Sequence, residues 1–407
     1  MMATFDNINK MMNKVSDFLN LRETEKELLL RHEKISTAEL SVNGKKFPAW
    51  RIIHNNARGP GKGGIRFHPE VSEDEVKSLS FWMSLKNSLA DIPLGGAKGG
   101  VIVNPKKLTK KEIELLSRAY IRAFHDVLGA DRDIPAPDVY TNPQIMAIML
   151  DEFEKIKGRH EPGMITGKPL EVGGINLRGD ATSKGGELVF KLLMKKLDLK
   201  KDDITIVIQG FGNAGMNMAK ILYEDGFKIT GISDSKGGIY NENGLNIGKS
   251  IELKENGEKL EDYEEAEKIS NQELLELECD VLFLAALENQ VTERNAGNVK
   301  AKYIVELANG PVNPEADEIL FGKGIVVTPD ILANSGGVIA SYLEWANNRV
   351  GNVLEDDFMK IVFEKKLMNA FENTFELSND NKVDMRTAAY IIAVKRILEA
   401  EKLRGRV

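Results

Sequence analysis

The sequence predicts a two-domain α/β protein, in which an N-terminal α/β domain precedes a doubly wound domain built on a parallel sheet. The chain has 407 residues, which is longer than a single hydrophobic core usually extends. From about residue 181, continuous β-branched runs alternate with helical segments, and this rhythm is typical of a parallel sheet covered on both faces. The preceding region mixes strands and helices without that rhythm, so we place the domain boundary near residue 180.

Cap and strand signals order the first domain. Ser72 with Glu75, and Thr109 with Glu112, have the capping-box spacing ahead of apolar-periodic segments. The predicted elements are strands at 35–42 and 47–55, helices beginning after the two caps, a buried strand at 99–105 and a helix beginning near Pro143. The segment LGGAKGG at 94–100 therefore falls at a helix-to-strand turn that contains Lys98.

Apolar runs mark the strands of the second domain. They are predicted at 204–210, 227–233, 280–286, 303–307 and 324–330. We interpret the acidic stretch at 252–268 as a solvated helix and linker. Beyond about residue 335 the chain is helical again. Ile391, Val394 and Leu398 share one face of the final helix, so we expect that helix to pack against another part of the protein.

Composition excludes several classes of protein. Lys and Arg number 55 against 62 Asp and Glu, and the net charge of −7 argues against a nucleic-acid-binding protein. The single cysteine, Cys279, excludes internal disulfides and Cys-rich zinc sites, and it fits a reducing compartment. We find neither a secretory signal nor an apolar run of the roughly 18 residues that cross a bilayer. We expect a cytoplasmic protein without a metal site.

GFGNAG at 210–215 matches the G-x-G-x-x-G pattern through Gly210, Gly212 and Gly215. The pattern alone is weak, but here it follows a strong strand and opens a helix, as binding of a pyrophosphate at a helix N-terminus requires. Asp234 ends the next strand, near the place where an acidic residue binds the adenosine ribose. These features predict a Rossmann-like dinucleotide-binding domain. Asp234 favours NAD, whereas Lys236 would neutralise the 2′-phosphate of NADP, so both cofactors stay open.

Lys98 suggests two kinds of site, and the sequence distinguishes them. A phosphate-binding Walker loop requires Ser or Thr after the lysine and a following helix, but Gly99 and a strand follow Lys98. A lysine held near other cations and away from water has a lowered pKa, which makes its neutral amine accessible. We expect the surrounding glycines to let a small ligand approach the ammonium. Asp138, in IPAPDVYT, is either a turn former or a proton acceptor for the same site.

Ordered motifs along most of the chain resemble the glutamate dehydrogenase family, within the wider amino-acid dehydrogenase superfamily. The resemblance extends from about residue 40 to the end. The motifs are ARGPGKGGIRFHP, LKNSLADIPLGGAKGGV, PAPDVYT, QGFGNAG, SDSKGGIYN, ELANGPVNPEA and ANSGGVIASYLEWANN. The resemblance implies reversible oxidative deamination of an L-amino acid to a 2-oxo acid and ammonium, with hydride transfer to NAD or NADP.

The resemblance also implies roles for residues of the first domain and of the last third of the chain. Lys98 would activate the water that attacks the iminium intermediate, Asp138 would carry protons, and Lys86 would bind the substrate α-carboxylate. Lys62 and Ser341 match the positions that hold the side-chain carboxylate of glutamate, where relatives acting on leucine or phenylalanine carry apolar residues. The remaining positions expected to contact substrate or cofactor are Ala136, Thr182, Asn213, Ala214, Asp234, Asn309 and Asn334. The order Arg178-Gly179-Asp180 departs from the family pattern near Thr182.

The resemblance further implies a domain arrangement and an assembly. Residues 1–180 would bind substrate and build a homohexamer, 181–365 would bind the dinucleotide, and the helices of about 366–407 would pack back on the first domain. The expected partners are L-glutamate, 2-oxoglutarate and ammonium, with no nucleic acid and no membrane. Two alternatives remain: a dehydrogenase of a hydrophobic amino acid, opposed by Lys62 and Ser341, and a catalytically silent regulatory paralogue, opposed by the retained lysines and Asp138.

Overall fold

A computed structural model describes residues 5–407, which form two compact units. The first unit comprises residues 5–179 together with 338–363 and 390–407. The second unit comprises residues 180–337 and 364–389. The predicted α/β class with a doubly wound second part is confirmed.

The first unit contains a mixed sheet of five strands in the order β1-β2-β4-β3-β5. Strand β2 runs antiparallel to both β1 and β4, whereas β3 pairs in parallel with both β4 and β5. Its elements up to residue 179 are α1 (Phe5–Leu19), α2 (Glu23–Leu30), β1 (Lys34–Val42), β2 (Lys45–Asn55), β3 (Gly61–His68), α3 (Glu73–Leu89), β4 (Gly96–Ile102), α4 (Lys110–Phe124), β5 (Asp133–Pro137) and α5 (Pro143–Lys157).

Both predicted N-caps in this unit form. Ser72 accepts a hydrogen bond from the Glu75 N–H at 3.2 Å, and Thr109 and Glu112 make a complete capping box at the start of α4. Strand β4 begins at Gly96, earlier than predicted, so Lys98 lies inside a strand and not in a turn. The strand starts early because its first residues pair with β2, with Ala97 opposite Ile53.

The second unit contains a sheet of seven strands in the order β12-β11-β10-β6-β7-β8-β9. Pairing is parallel from β12 to β7, and Ile206, Val207 and Ile208 in the central strand are fully buried, as the continuous apolar runs predict. Its elements are α6 (Ala181–Lys196), β6 (Thr205–Gln209), α7 (Asn213–Glu224), β7 (Lys228–Ser233), β8 (Gly238–Tyr240), α8 (Ile247–Glu255), β9 (Glu267–Ile269), α9 (Asn271–Leu275), β10 (Val281–Leu284), β11 (Tyr303–Glu306), α10 (Pro314–Gly322), β12 (Val326–Thr328) and α11 (Asp330–Ala333).

The C-terminal helices divide between the units differently from the prediction. They are α12 (Gly336–Arg349), α13 (Asp356–Asn381) and α14 (Met385–Leu403). Residues 338–363 belong to the first unit, although they were expected in the dinucleotide-binding domain, and residues 364–389 belong to the second unit. The physical reason is visible at Arg386, whose guanidinium is buried among carboxylates of the second unit. Residues 390–407 do belong to the first unit, where Ile391, Val394 and Leu398 are buried.

Arg386 is the centre of a buried charge cluster in the second unit. Its guanidinium donates hydrogen bonds to Asp317 at 2.5 Å, to Glu306 at 2.6 Å and to Asp330 at 3.2 Å. One cation therefore faces three carboxylates. Burial raises the pKa of Glu306 to about 8, and the negative charges of Asp330 and Asp317 add to the increase. Arg386 opposes the increase without cancelling it.

This cluster predicts that the protein loses stability as the pH rises toward weakly alkaline values. Between about pH 5 and pH 8 the folded state retains a proton on Glu306 that the unfolded state has lost, so the contribution of this group makes the free energy of unfolding fall as the pH rises. Glu306→Gln is expected to flatten that slope in urea unfolding measured across this range. Glu318→Gln, at an exposed position on α10, is the control and leaves the slope unchanged. A wild-type slope retained by Glu306→Gln would contradict the protonated state.

Among residues 5–407, no helix is both long enough and apolar enough to cross a membrane. Within the same range, no group of histidine, cysteine, aspartate and glutamate side chains is arranged to hold a metal ion.

Candidate active site

Lys98 and Asp138 form an ion pair in the first unit, with 2.8 Å between Nζ and Oδ2. The Lys98 side chain is 8% exposed and the Asp138 side chain 20%. Burial lowers the pKa of Lys98, Asp138 opposes that change, and Arg66 adds to it. Burial acts to raise the pKa of Asp138, but Lys98 and Arg66 outweigh it and hold this pKa well below its usual range. The pair therefore consists of an ionised carboxylate beside a lysine that releases its proton more readily than a solvated one.

Arg66 ties this pair to helix α3. Its Nε donates to Asp138 Oδ2 at 3.0 Å, and one of its terminal nitrogens donates to Glu75 at 2.6 Å. Both cations thus bond to Oδ2, and among the described residues nothing donates a hydrogen bond to Oδ1 of Asp138. The carboxylate is held in place while one oxygen remains able to accept a proton.

Strand register explains why these charges meet. Lys62, Gly64 and Arg66 alternate along β3 and so share one face of the sheet. Gly64 lies opposite Ala136 on β5, and Ile65 lies opposite Gly99 on β4, which sets Lys98 beside Gly64. Three adjacent parallel strands therefore present their charged side chains from one face.

Glycine allows this close packing, although not for the reason predicted. A Cβ on Gly64 would lie 2.7 Å from Asp138 Cβ, so the carboxylate approaches Lys98 across a residue without a side chain. Beside Lys98, a Cβ on Gly96 would overlap Ser84 of α3, and one on Gly99 would overlap Tyr120 of α4. The expectation that these two glycines open space for a ligand is wrong, because the protein's own helices occupy that space.

Lys62 is an unusual lysine, since its side chain is 2% exposed and makes no ion pair among the described residues. Burial lowers its pKa well below the usual value, and the nearby guanidinium groups of Arg178 and Arg51 lower it further. Glu344 is the first of the nearby anions that act in the opposite direction. Arg51 is itself paired with the buried Asp133, so it is the Lys62 ammonium whose burial as a cation is costly unless an anion binds there.

Helix α12 contributes Ser341 and Glu344, one turn apart and both buried. Glu344 accepts hydrogen bonds from the Gly167 N–H and the Lys168 ammonium, each at 2.7 Å. Lys168 also donates to Asn348 Oδ1 at 2.8 Å. This buried network fixes the face of α12 that carries Ser341, so Ser341 is held in a defined position.

Lys86 occupies the last turn of α3 and is half-buried, and Ala136 is buried on β5 two residues before Asp138. All the residues assigned from sequence to the substrate thus belong to the first unit, and the structure brings Lys98 and Asp138 into direct contact.

The glycine-rich turn of the second unit joins β6 to α7. Gly210 has φ +96°, in the region that favours glycine, and a Cβ on Gly215 would overlap the Gly210 carbonyl oxygen. A Cβ on Gly212 would meet nothing within 4 Å, so the outer side of the turn is open. Asn213, Ala214 and Gly215 form the first turn of α7, whose N–H groups have no acceptor within the helix. This arrangement fits a pyrophosphate at a helix N-terminus.

Asp234 directly follows β7, at the same sheet edge as the glycine turn. Its Oδ1 accepts the Lys236 N–H at 2.8 Å and its Oδ2 accepts the Lys254 ammonium at 2.5 Å. Burial acts to raise its pKa, but Lys254 and the backbone donors outweigh burial and lower it, so the carboxylate stays ionised. Lys236 is exposed, and only its backbone N–H contacts Asp234 in these hydrogen bonds.

Asn309 and Asn334 lie close together beyond β11 and α11. Asn334 donates through Nδ2 to the Asn309 side chain at 3.0 Å and to the Ala308 carbonyl at 3.2 Å. Its Oδ1 is buried and accepts no hydrogen bond among the described residues, which suits an amide donor such as that of nicotinamide. Thr182 begins α6, where its neighbour Ser183 donates to the Ala214 carbonyl at 3.1 Å. The predicted cofactor positions thus gather along the carboxyl ends of the parallel strands and on α6 and α7.

The second unit has the fold and the glycine-rich turn of a dinucleotide-binding domain, and comparison with known proteins gives the class of enzyme, an NAD(P)-dependent amino-acid dehydrogenase. The sequence matches the family model described as Glutamate/Leucine/Phenylalanine/Valine dehydrogenase over residues 173–405, and the dimerisation-domain model of the same family over residues 32–155. The chain belongs to this family of amino-acid dehydrogenases.

Individual relatives agree with this assignment. The chain is 46% identical over 361 residues to the NAD-specific glutamate dehydrogenase of Staphylococcus aureus, covering 89% of this chain and 87% of the relative. The hetero-hexameric glutamate dehydrogenase of Thermus thermophilus, solved with leucine bound, superposes with a TM-score of 0.93 at 33% identity, over 98% of this chain and 97% of that one. Glutamate dehydrogenase from Peptoniphilus asaccharolyticus superposes with a TM-score of 0.86 at 36% identity, over 98% of this chain and 100% of that one.

Sequence reasoning missed several charged residues of the site. Arg66 was missed because β3 was not among the predicted strands, although within that strand its even spacing from Lys62 sets both side chains on one face. Glu344 was detectable, because it lies one helical turn after Ser341. Arg178 and Lys168 lie in irregular segments, where no periodicity indicates the direction of a side chain.

Proposed function

We propose that this protein is a glutamate dehydrogenase that uses NAD to convert L-glutamate to 2-oxoglutarate and ammonium, reversibly. The observation that carries the proposal is Lys62, a buried lysine without an ion-pair partner among the described residues, on the same sheet face as the Lys98–Asp138 pair. Family membership supplies the amino-acid dehydrogenase chemistry, and the relatives named NAD-specific glutamate dehydrogenase support the substrate and the cofactor.

Electrostatics favours an amino acid whose side chain is itself an anion. The side-chain carboxylate of glutamate would supply the counter-charge for the Lys62 ammonium, which has no ion-pair partner among the described residues, and Ser341 would add a hydroxyl donor. An apolar side chain would leave the Lys62 ammonium buried without a counter-ion, at a cost of about 2–5 kcal/mol. A dehydrogenase acting on leucine or phenylalanine is therefore disfavoured.

The reactive pair suits deamination. The Asp138 carboxylate would accept a proton from the substrate ammonium, which yields the neutral amine from whose Cα hydride can leave. Bound NAD supplies the hydride acceptor. Lys98, as the neutral amine that its lowered pKa permits, would remove a proton from the water that attacks the resulting iminium carbon. Loss of ammonia from that adduct gives the 2-oxo acid, and Lys86 would hold the α-carboxylate throughout.

The second unit supplies the cofactor site. Gly210, Gly212 and the first turn of α7 would hold the pyrophosphate, and Asp234 would accept the adenosine ribose hydroxyls. The nicotinamide end of the dinucleotide would be bound by Asn309, Asn334 and Thr182. By analogy with the hetero-hexameric relative from Thermus thermophilus, we propose a hexamer of identical chains.

Initial rates of NAD reduction with a panel of amino acids test the proposal. We expect kcat/KM for L-glutamate to exceed that for L-leucine and L-phenylalanine by about a thousandfold, the scale on which a site with buried charged partners rejects an apolar analogue. Equal rates for glutamate and leucine would overturn the substrate assignment, and no turnover of any amino acid would favour the catalytically silent paralogue.

A further inference from the structure

The ribose-binding aspartate of the second unit is not a free anion. Asp234 is fixed from several sides, because its own N–H donates to the Gly237 carbonyl at 2.8 Å and its carbonyl accepts from Asn271 Nδ2 at 2.7 Å. Its carboxylate then receives the Lys236 N–H on one oxygen and the Lys254 ammonium on the other. Each carboxylate oxygen has two acceptor positions, so one on each oxygen remains for a ribose hydroxyl.

Helix α8 holds Lys254 beside Asp234. The helix is capped by Asn246, which accepts the Lys249 N–H at 3.1 Å, and it is anchored by the buried Ile247. Lys254 lies in its last turn, where a cation is favoured by the helix dipole. Its side chain is 29% exposed and that of Asp234 is 10% exposed, so the pair is only partly screened by solvent.

The net charge of the Asp234–Lys254 pair affects whether the site prefers NAD or NADP. NADP differs from NAD by a phosphate on the adenosine 2′-hydroxyl, and an unpaired carboxylate at this position repels that phosphate. An ammonium 2.5 Å from the carboxylate cancels most of the repulsion while leaving the acceptor positions for ribose. Other side chains near this turn include the exposed Lys236 and Glu261, whose carboxylate packs beside Gly237.

We propose that Lys254 is a specificity-determining residue of the dinucleotide site, which lowers the discrimination against NADP by neutralising Asp234. This inference rests on the proposed function in so far as a nicotinamide dinucleotide binds at the carboxyl end of β7. It differs from the sequence-based suggestion, in which Lys236 would neutralise the 2′-phosphate of NADP directly. Lys236 is exposed and reaches Asp234 through its backbone, whereas Lys254 forms the ion pair.

Calorimetric titration of the full-length protein with NAD and with NADP tests the inference without relying on turnover. For Lys254→Met, we expect the Kd for NADP to rise at least about tenfold more than the Kd for NAD, equivalent to about 1.4 kcal/mol of added discrimination. Lys254→Arg keeps the charge and is expected to retain the wild-type ratio of the two constants.

Lys249→Met is the matched control. Lys249 lies on the same helix and pairs with Glu265 at 2.9 Å, so its loss changes the net charge equally without touching Asp234. An unchanged ratio of NADP to NAD binding in Lys254→Met would overturn the inference, as would an equal change in Lys249→Met. A wild-type protein that binds neither dinucleotide would instead overturn the proposed function.

Discussion

Replacement of Lys98 by alanine is expected to lower kcat about 1,000-fold or more, while the Kd for NAD changes by less than about threefold. The expected loss reflects the contribution of a positioned general base, about 100- to 10,000-fold, together with the loss of the cation that orients Asp138. Dinucleotide binding is retained because every residue that we assign to the cofactor lies in the second unit. Steady-state kinetics with L-glutamate and calorimetric titration with NAD measure the two quantities.

Lys107→Ala, at an exposed lysine of the same unit, is the control and keeps the wild-type kcat. Circular dichroism and thermal unfolding establish that Lys98→Ala is folded, since Asp138 retains its bond to Arg66. If Lys98→Ala bound NAD much more weakly but kept its kcat at saturating NAD, the catalytic role of Lys98 would be contradicted. That result would favour the phosphate-binding interpretation of LGGAKGG.

Replacement of Lys62 by methionine is expected to lower kcat/KM for L-glutamate about 1,000-fold and to raise that for L-leucine and L-methionine. Removal of one partner of a buried charge pair costs about 2–5 kcal/mol or more in binding. Methionine has nearly the length of lysine without its charge, so the binding site keeps its shape and becomes more apolar. The ratio of kcat/KM for glutamate to that for leucine is the quantity to measure.

The same variant is expected to be more stable than the wild type. The pKa of Lys62 is lower in the folded state, so the unfolded chain binds a proton at neutral pH more readily and Lys62 destabilises the fold there. Lys168→Met is the contrasting variant, because Lys168 is equally buried but paired with Glu344. Its loss leaves a buried carboxylate unpaired and is expected to destabilise by about 3–5 kcal/mol. Opposite shifts in thermal unfolding would separate a functional buried lysine from a structural one, whereas equal losses of stability would contradict the assignment of Lys62.

The parallel sheet of the second unit was predictable because burial on both faces leaves a strong signature in the sequence. Strands β6, β7, β10, β11 and β12 all lie within the predicted runs. Strands β8 and β9 were missed because each is only three residues long and they pair antiparallel at the edge of the sheet, where neither length nor continuous hydrophobicity marks a strand.

Single residues of the candidate site were predictable where they lie in a recognisable motif. Contacts between residues from distant segments were not predictable from the sequence. Lys98 and Asp138 were selected from separate segments, and the structure places them 2.8 Å apart. The ion-pair partner of Asp234 was not predicted, because nothing in the sequence indicates that Lys254, at the end of the next helix, lies beside Asp234. The role of the glycines beside Lys98 was also misread, since a missing side chain looks the same in sequence whether a ligand or a neighbouring helix fills the space.

Incorporation of isotopically labelled ammonium is the most direct test of the central claim, because it follows the bond that a glutamate dehydrogenase makes. Purified protein is incubated with reduced NAD, labelled ammonium and either 2-oxoglutarate or the 2-oxo acid of leucine, and the amino acids formed are identified by mass spectrometry. We expect labelled L-glutamate in an amount equal to the NADH consumed, and little labelled leucine. Labelled leucine formed as fast as labelled glutamate, or NADH consumed without labelled amino acid, would contradict the central claim.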